Sequence, residues 1–216
     1  STTHEGKPLM QISYREECKR KLVHLSSLWM VLVILFLPGR WSAAILYAVM
    51  LVLNLLCEHA YACNVPVIRP LYGAIFGKML RDEPRHGQWI VSGSPYVLAA
   101  AFLVSLLFGR VPAAAAMTVM LIGDTAAALI GRRFGRHRAP NNKSIEGVVA
   151  FIVASWIALA ILLTACGAAP ALYITGFFAV LPAAAAELFE KQLHLDDNFS
   201  IPLIVGFCLE LAARLL

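Results

Sequence analysis

Charged residues are scarce in this sequence. Only 14% of its 216 residues are Asp, Glu, Lys or Arg, whereas a soluble domain carries about 25%; 60% are apolar and the mean hydropathy is +0.74. That deficit excludes a soluble globular domain and predicts an all-α, polytopic integral membrane bundle. Acids are scarcer than bases, 13 against 18, giving a net charge of +5 and a pI near 9.1. The excess is spread over short segments between apolar runs rather than gathered on one basic domain. Nucleic acid is therefore not an expected partner, whereas phosphates and anionic headgroups are. Cysteine pairs at metal-binding spacing are missing. Cys18, Cys57, Cys63, Cys166 and Cys208 are scattered, which excludes a C-x-x-C zinc site and a disulfide framework. Tandem repeats are absent too, and the alanine runs at 113–116 and 183–186 are the only low-complexity stretches. Nothing in the opening STTHEGKPLM resembles a cleavable leader, so the first apolar run is expected to stay in the membrane.

What is present is a series of apolar runs within a single membrane domain, 1–216. Residues 1–21 are polar and basic and, from about Tyr14, are expected to form a helix on the membrane surface. About seven spans follow, at 22–38, 41–57, 89–108, 111–131, 145–166, 169–187 and 200–216. Segment 58–88 carries a short apolar piece, 65–80, broken by Arg69, Pro70, Gly73, Gly77 and Lys78. It reads as a re-entrant or interfacial helix. A basic loop fills 132–144. With the N-terminus cytoplasmic, 15 of the Lys and Arg residues fall on the cytoplasmic side and 3 on the other, a strong positive-inside bias. In a bacterium this implies the inner membrane. Gly123, Ala127, Gly131 and Gly135, four apart, permit close helix packing.

The polar residues that remain gather at one mouth of the expected bundle. Asp124 lies about two turns inside an apolar run, where a carboxylate costs about 2.5–3.5 kcal/mol on insertion scales and requires a partner. Arg132, Arg133, Arg136, Arg138 and Lys143 follow it. Ser144 then offers an N-cap, so that the next helix would turn free N–H groups toward the loop. Glu17, Arg20, Lys21 and His24 form a second cluster, which a snorkelling basic collar would also explain. Arg81, Asp82, Glu83, Pro84 and Arg85 form a third, before Gly93 and Tyr96. Glu187, Asp196, Asp197 and Asn198 form a fourth, either a metal-binding set or a helix-end acid with an Asx turn. Glu210 and Arg214, four apart on the far side, are expected to pair with each other.

In this order the four clusters resemble the diacylglycerol, polyprenol (dolichol) and phytol kinase family, membrane enzymes that phosphorylate a lipid alcohol, commonly with CTP. ECKRKLVH (17–24) is similar to the family's E-x-x-R-K-x-x-H. GDTAAALIGRRFGR with KSIEG resembles its G-D-x-x-A-x-x-x-G-x-x-x-G and K-S-x-E-G, and Glu187 with DNFSIP resembles its closing E and D-N-x-x-x-P. The crowded acids at 82–85 depart from the pattern. The resemblance implies Mg²⁺ on Asp124 with Glu187 or Asp197, and a catalytic set of Asp124, Lys143, Glu83, His24 and Glu17, the last three being alternative bases. It also implies a nucleotide environment of Arg20, Lys21, Arg81, Gly123, Gly131, Arg132, Gly135, Asn141, Lys143, Ser144, Glu146, Gly147 and Asn198. The implied partners are a lipid alcohol and a nucleoside triphosphate, CTP with ATP as the alternative donor. Self-association into a homo-oligomer stays open. Phosphatidate cytidylyltransferases are the nearest competing family. A small transporter would place its polar groups nearer the midplane.

Overall fold

A computed structural model describes residues 14–63, 65–66, 70, 92–139, 143–193 and 196–215. Among these the chain forms α1 (Tyr14–Ser26), α2 (Trp29–Phe36), α3 (Ser42–Ala62), α4 (Gly93–Leu107), α5 (Arg110–Phe134), α6 (Ile145–Ala165), α7 (Pro170–Leu188), α8 (Glu190–Leu193) and α9 (Asp197–Leu215). No strand forms among the described residues, apart from one isolated bridge between Arg138 and Ser144. The protein is an all-α, multi-pass membrane bundle. Apart from residues 65, 66 and 70, the expected helix within 65–80 lies outside the described residues, as do Arg81, Glu83, Asn141 and Asn142.

Five helices, α3, α5, α6, α7 and α9, are long and apolar enough to cross a bilayer, and α4 is a shorter apolar helix. The expected first span at 22–38 is not one uniform helix. α1 stops at Ser26, the chain passes through tight turns at Ser27 and Leu28, and α2 resumes for eight residues. Two hydroxyl-bearing residues in succession, Ser26 and Ser27, mark the break, and Ser26 Oγ bonds back to the Val23 carbonyl.

α5 is the axis of the bundle. It packs against α1, α2, α4, α6 and α9, and over its first half, from Pro112 to Leu121, every side chain is buried and none is left for lipid. A helix enclosed on all sides must be built from small side chains, which is what the run Ala113–Ala116 supplies. In contrast, α3 and α6 turn Ile45, Val49, Val52, Val153, Ile157 and Ile161 outward, as lipid-facing helices do. The α5–α6 contact is closer still. Side chains of Ser155 and Phe151 fill the space a Cβ would take at Gly123, and the backbones of Gly131 and Gly147 touch.

At the end of the bundle away from Lys143, side chains from one helix satisfy the backbone of the next. Arg110 donates to the Leu35 and Gly39 carbonyls at 3.5 and 3.2 Å, past the end of α2. Glu210 accepts the Gly109 N–H at 2.7 Å and pairs, as expected, with Arg214 at 2.8 Å. An acid from α9 thereby caps the start of α5. Glu210→Ala is expected to cost about 1 kcal/mol of stability, read as a lower thermal midpoint in detergent, with Arg214→Ala costing less.

Candidate functional site

The inward face of α1 is charged. Glu17 and Lys21, four residues apart, are both buried against α5, while Leu22 and Val23 point outward. This inverts the pattern of a helix in water, and it shows that Lys21 does not snorkel as a basic collar would. Lys21 Nζ lies 2.5 Å from Asp124 Oδ2, and His24 Nε2 approaches the same oxygen at 3.2 Å. The histidine contact is at ion-pair distance but outside hydrogen-bond geometry, so His24 Nε2 is a buried nitrogen without a bonded partner among the described residues. Asp124 therefore finds its counter-charge more than 100 residues upstream. The expected source was the arginine run that follows it, and the helix geometry explains the difference. Asp124 projects into the bundle, whereas Arg132, Arg133, Arg136 and Arg138 lie beyond the last buried turn and are exposed. Of these, Arg132 turns back to Glu17 at 3.4 Å, and Arg20 holds the other Glu17 oxygen at 2.6 Å.

The loop after α5 doubles back on itself. Ala139 N–H donates to the Lys143 carbonyl and Ile145 N–H to that of His137, both within 2.9 Å. Glu146 closes the turn by accepting from the His137 backbone at 3.1 Å and facing its ring Nδ1 at 2.7 Å. Ser144 caps α6 as expected, its Oγ accepting the Gly147 N–H at 3.0 Å. The structure thus gives Ser144 and Glu146 the work of holding the loop. It gives Gly123, Gly131, Gly135 and Gly147 the work of helix and loop packing, since neighbouring atoms fill the space a Cβ would take at each.

That loop delivers Lys143 to the acids of α7, α8 and α9. Its ammonium bonds to the Glu187 backbone carbonyl, lies 2.8 Å from Glu187 Oε1 and 3.3 Å from Glu190 Oε2, and reaches Asp197 Oδ2 at 3.9 Å. Burial alone would lower its proton affinity. The carboxylates of Glu187, Asp197 and Glu190 reverse this and hold the ammonium above its ordinary range. Asp196 forms the expected Asx turn, with Oδ1 accepting from Asn198 N at 3.0 Å and Asn198 Nδ2 at 2.8 Å. Burial pushes its carboxyl up from the usual value against those bonds. Carboxylate oxygens of Glu190, Asp196 and Asp197 all lie within 4.8 Å of one another.

Two charged groups thus meet at one end of the bundle, one centred on Asp124 and one on Lys143, and Asp124 acts electrostatically on both Glu187 and Asp197. Against known proteins, the chain is 27% identical to the phytol kinase of Synechocystis over 87% of its own length and 76% of that protein. It is similar to lipid-alcohol kinases. A stretch of 88 residues is 35% identical to the dolichol kinase of Saccharomyces cerevisiae, covering 40% of this chain but only 17% of that much longer protein. An uncharacterized protein of Rickettsia prowazekii is 29% identical over 89% of this chain and 92% of its own. No family model matches the chain. No solved structure matches it either.

Sequence reasoning missed Glu190 and Glu58. Glu190 stands three residues after Glu187, a helical spacing that puts two acids on one side. Glu58 looked like the polar exit of the second span, but α3 runs one turn further. Its buried carboxylate accepts from both the hydroxyl and the N–H of Ser92, next to a Ser94–Asn54 bond of 3.3 Å. Asn54 and Glu58, four apart in an apolar helix, were the available signal.

Proposed function

We propose that this chain transfers the terminal phosphoryl group of a nucleoside triphosphate, CTP in preference to ATP, to the hydroxyl of a membrane lipid alcohol such as diacylglycerol, a polyprenol or phytol. The observation that carries this reading is the meeting of buried charges from α1, α5, α7, α9 and the 135–144 loop at one end of a lipid-facing bundle. There a triphosphate from water and a hydroxyl at the headgroup level can reach the same groups. The positive-inside bias supports a cytoplasmic location for that end.

In this reading Lys143, Arg20 and Arg132 balance the phosphate charge, and positioning supplies most of the rate. Bound Mg²⁺ would add neutralisation of the phosphate oxygens. The acids that suit it lie around Lys143, Asp197 among them, while Glu187 is the carboxylate Lys143 holds most closely. Asp124 suits it less well than the sequence suggested, because the Lys21 ammonium already matches its charge and His24 stands beside it. We assign it to holding those two side chains instead. Of the candidate bases, Glu17 has both carboxylate oxygens engaged, one by Arg20 and one by Arg132. His24, whose Nε2 faces Asp124 Oδ2 at 3.2 Å without a hydrogen bond, is the other described candidate. Glu83 lies outside the described residues.

The test is purified protein with Mg²⁺, γ-labelled CTP or ATP, and a panel of lipid alcohols. The expected result is labelled lipid phosphate with nucleoside diphosphate. Pyrophosphate with a nucleotidyl-lipid would replace this reading with a cytidylyltransferase. No product from any pair would end it.

A further inference from the structure

The acids at the α7–α9 end exceed the charge that Lys143 brings to them. Glu187, Glu190, Asp196 and Asp197 are four carboxylates, and the Lys143 ammonium is engaged mainly with the first, through both its side chain and its carbonyl. Glu190, Asp196 and Asp197 are left facing one another, with oxygens no more than 4.8 Å apart. Two oxygens on opposite sides of one Mg²⁺ stand about 4.2 Å apart, and on a larger hard cation about 5 Å. Three carboxylate oxygens this close come within reach of one divalent ion once the side chains draw in on it.

A second observation points the same way. Ser200 is only 9% exposed, and its hydroxyl has no hydrogen-bond partner among the described residues. A helical serine in apolar surroundings ordinarily bonds to the carbonyl four residues back, which here is Asp196. Ser200 does not. It stands three residues after Asp197, so these two share one face of α9, and Asp196 immediately precedes the helix. Helical side chains lean toward the N-terminus, which turns this hydroxyl toward the acids. A buried hydroxyl left unbonded costs about 1–3 kcal/mol, and a cation bound by the acids would give its oxygen a partner.

We propose that Glu190, Asp196 and Asp197, with the Ser200 hydroxyl, form a binding site for a hard divalent cation of the Mg²⁺ or Mn²⁺ class. Only Asp197 is shared with the ligand set that the sequence suggests. Glu190 makes its contribution by exchanging the 3.3 Å contact with Lys143 for the metal, leaving Lys143 on Glu187. The role of this site in phosphoryl transfer rests on the kinase reading; the site itself does not.

The test uses the full chain in detergent without nucleotide. Binding of Mn²⁺ is followed by loss of the free-ion electron paramagnetic resonance signal and by competition with Mg²⁺. Saturable binding near one ion per chain is expected. Glu190→Gln and Asp196→Asn should each weaken it by about tenfold or more, and Ser200→Ala by less. Asn is itself a good N-cap, so Asp196→Asn keeps the start of α9 intact, and an unchanged thermal midpoint verifies this. Glu210→Gln at the opposite end should leave binding unaltered. The proposal fails if the wild type shows no saturable binding. It also fails if binding survives both acid substitutions, or is abolished by Asp124→Asn while Glu190→Gln leaves it intact. Lipid phosphorylation in the same preparations separates the two ideas: Mn²⁺ binding without turnover keeps the site and removes the kinase reading, and turnover without binding does the reverse.

Discussion

Lys21→Met alone is expected to destabilise the protein more than Lys21→Met combined with Asp124→Leu. The single substitution leaves a carboxylate, 6% exposed, in the interior of a membrane helix with His24 as its remaining partner. Breaking a buried pair in this way costs about 3–5 kcal/mol, whereas replacing both partners with apolar side chains is often close to neutral. The measurement is a double-mutant cycle on unfolding in detergent, with a coupling of about 2 kcal/mol or more expected between positions 21 and 124. Phosphorylation should follow a different course. Both the single and the double variant should lose it by at least about 100-fold, because neither keeps the ammonium at position 21 or the intact Lys21–Asp124–His24 set. A double variant that is stable and fully active would reduce the pair to a structural tie.

That cycle also indicates where sequence reasoning stops. Asp124 was legible as a residue in need of a partner, because a charge at bilayer depth has few ways to exist. Its partner was not, since the choice between Lys21 and the nearby arginines is settled by the side of α5 from which Asp124 projects, and periodicity alone does not say which element covers that side. The spans at 41–57, 111–131, 145–166 and 169–187 were recoverable because lipid imposes both length and composition on a crossing helix. The first was not. Ser26 and Ser27 are only a faint signal inside a long, mostly apolar run for the turns at Ser27 and Leu28, which replace the regular helical bonds with tighter ones. Glu190 was hidden for another reason. It sits on a single-turn helix that no hydrophobic period announces, and it joins the site only because α9 starts beside it.

Gly147→Ala should be costly although it adds only one methyl group. Its Cβ would stand 2.9 Å from the Ala127 carbonyl oxygen and 3.3 Å from Gly131 Cα. Both are backbone atoms of α5, so no side chain can rotate away, and relief requires α5 and α6 to part. Overpacking of this kind costs about 1–3 kcal/mol. The consequence extends beyond stability, because Gly147 lies in the first turn of α6 and its N–H is the group that Ser144 caps. Separating the helices moves Ser144 and, beside it, Lys143, whose ammonium must remain within reach of Glu187 at 2.8 Å. Gly147→Ala is therefore expected to lower the unfolding midpoint and lipid phosphorylation together. Gly93→Ala, where a Cβ meets nothing within 4 Å, should leave the midpoint unchanged or slightly raised. Equal tolerance of the two substitutions would mean that the α5–α6 contact has slack to spare, and the glycine spacing from Gly123 to Gly147 would then need an explanation other than close packing. Loss of phosphorylation at an unchanged midpoint would place Gly147 against the substrate instead.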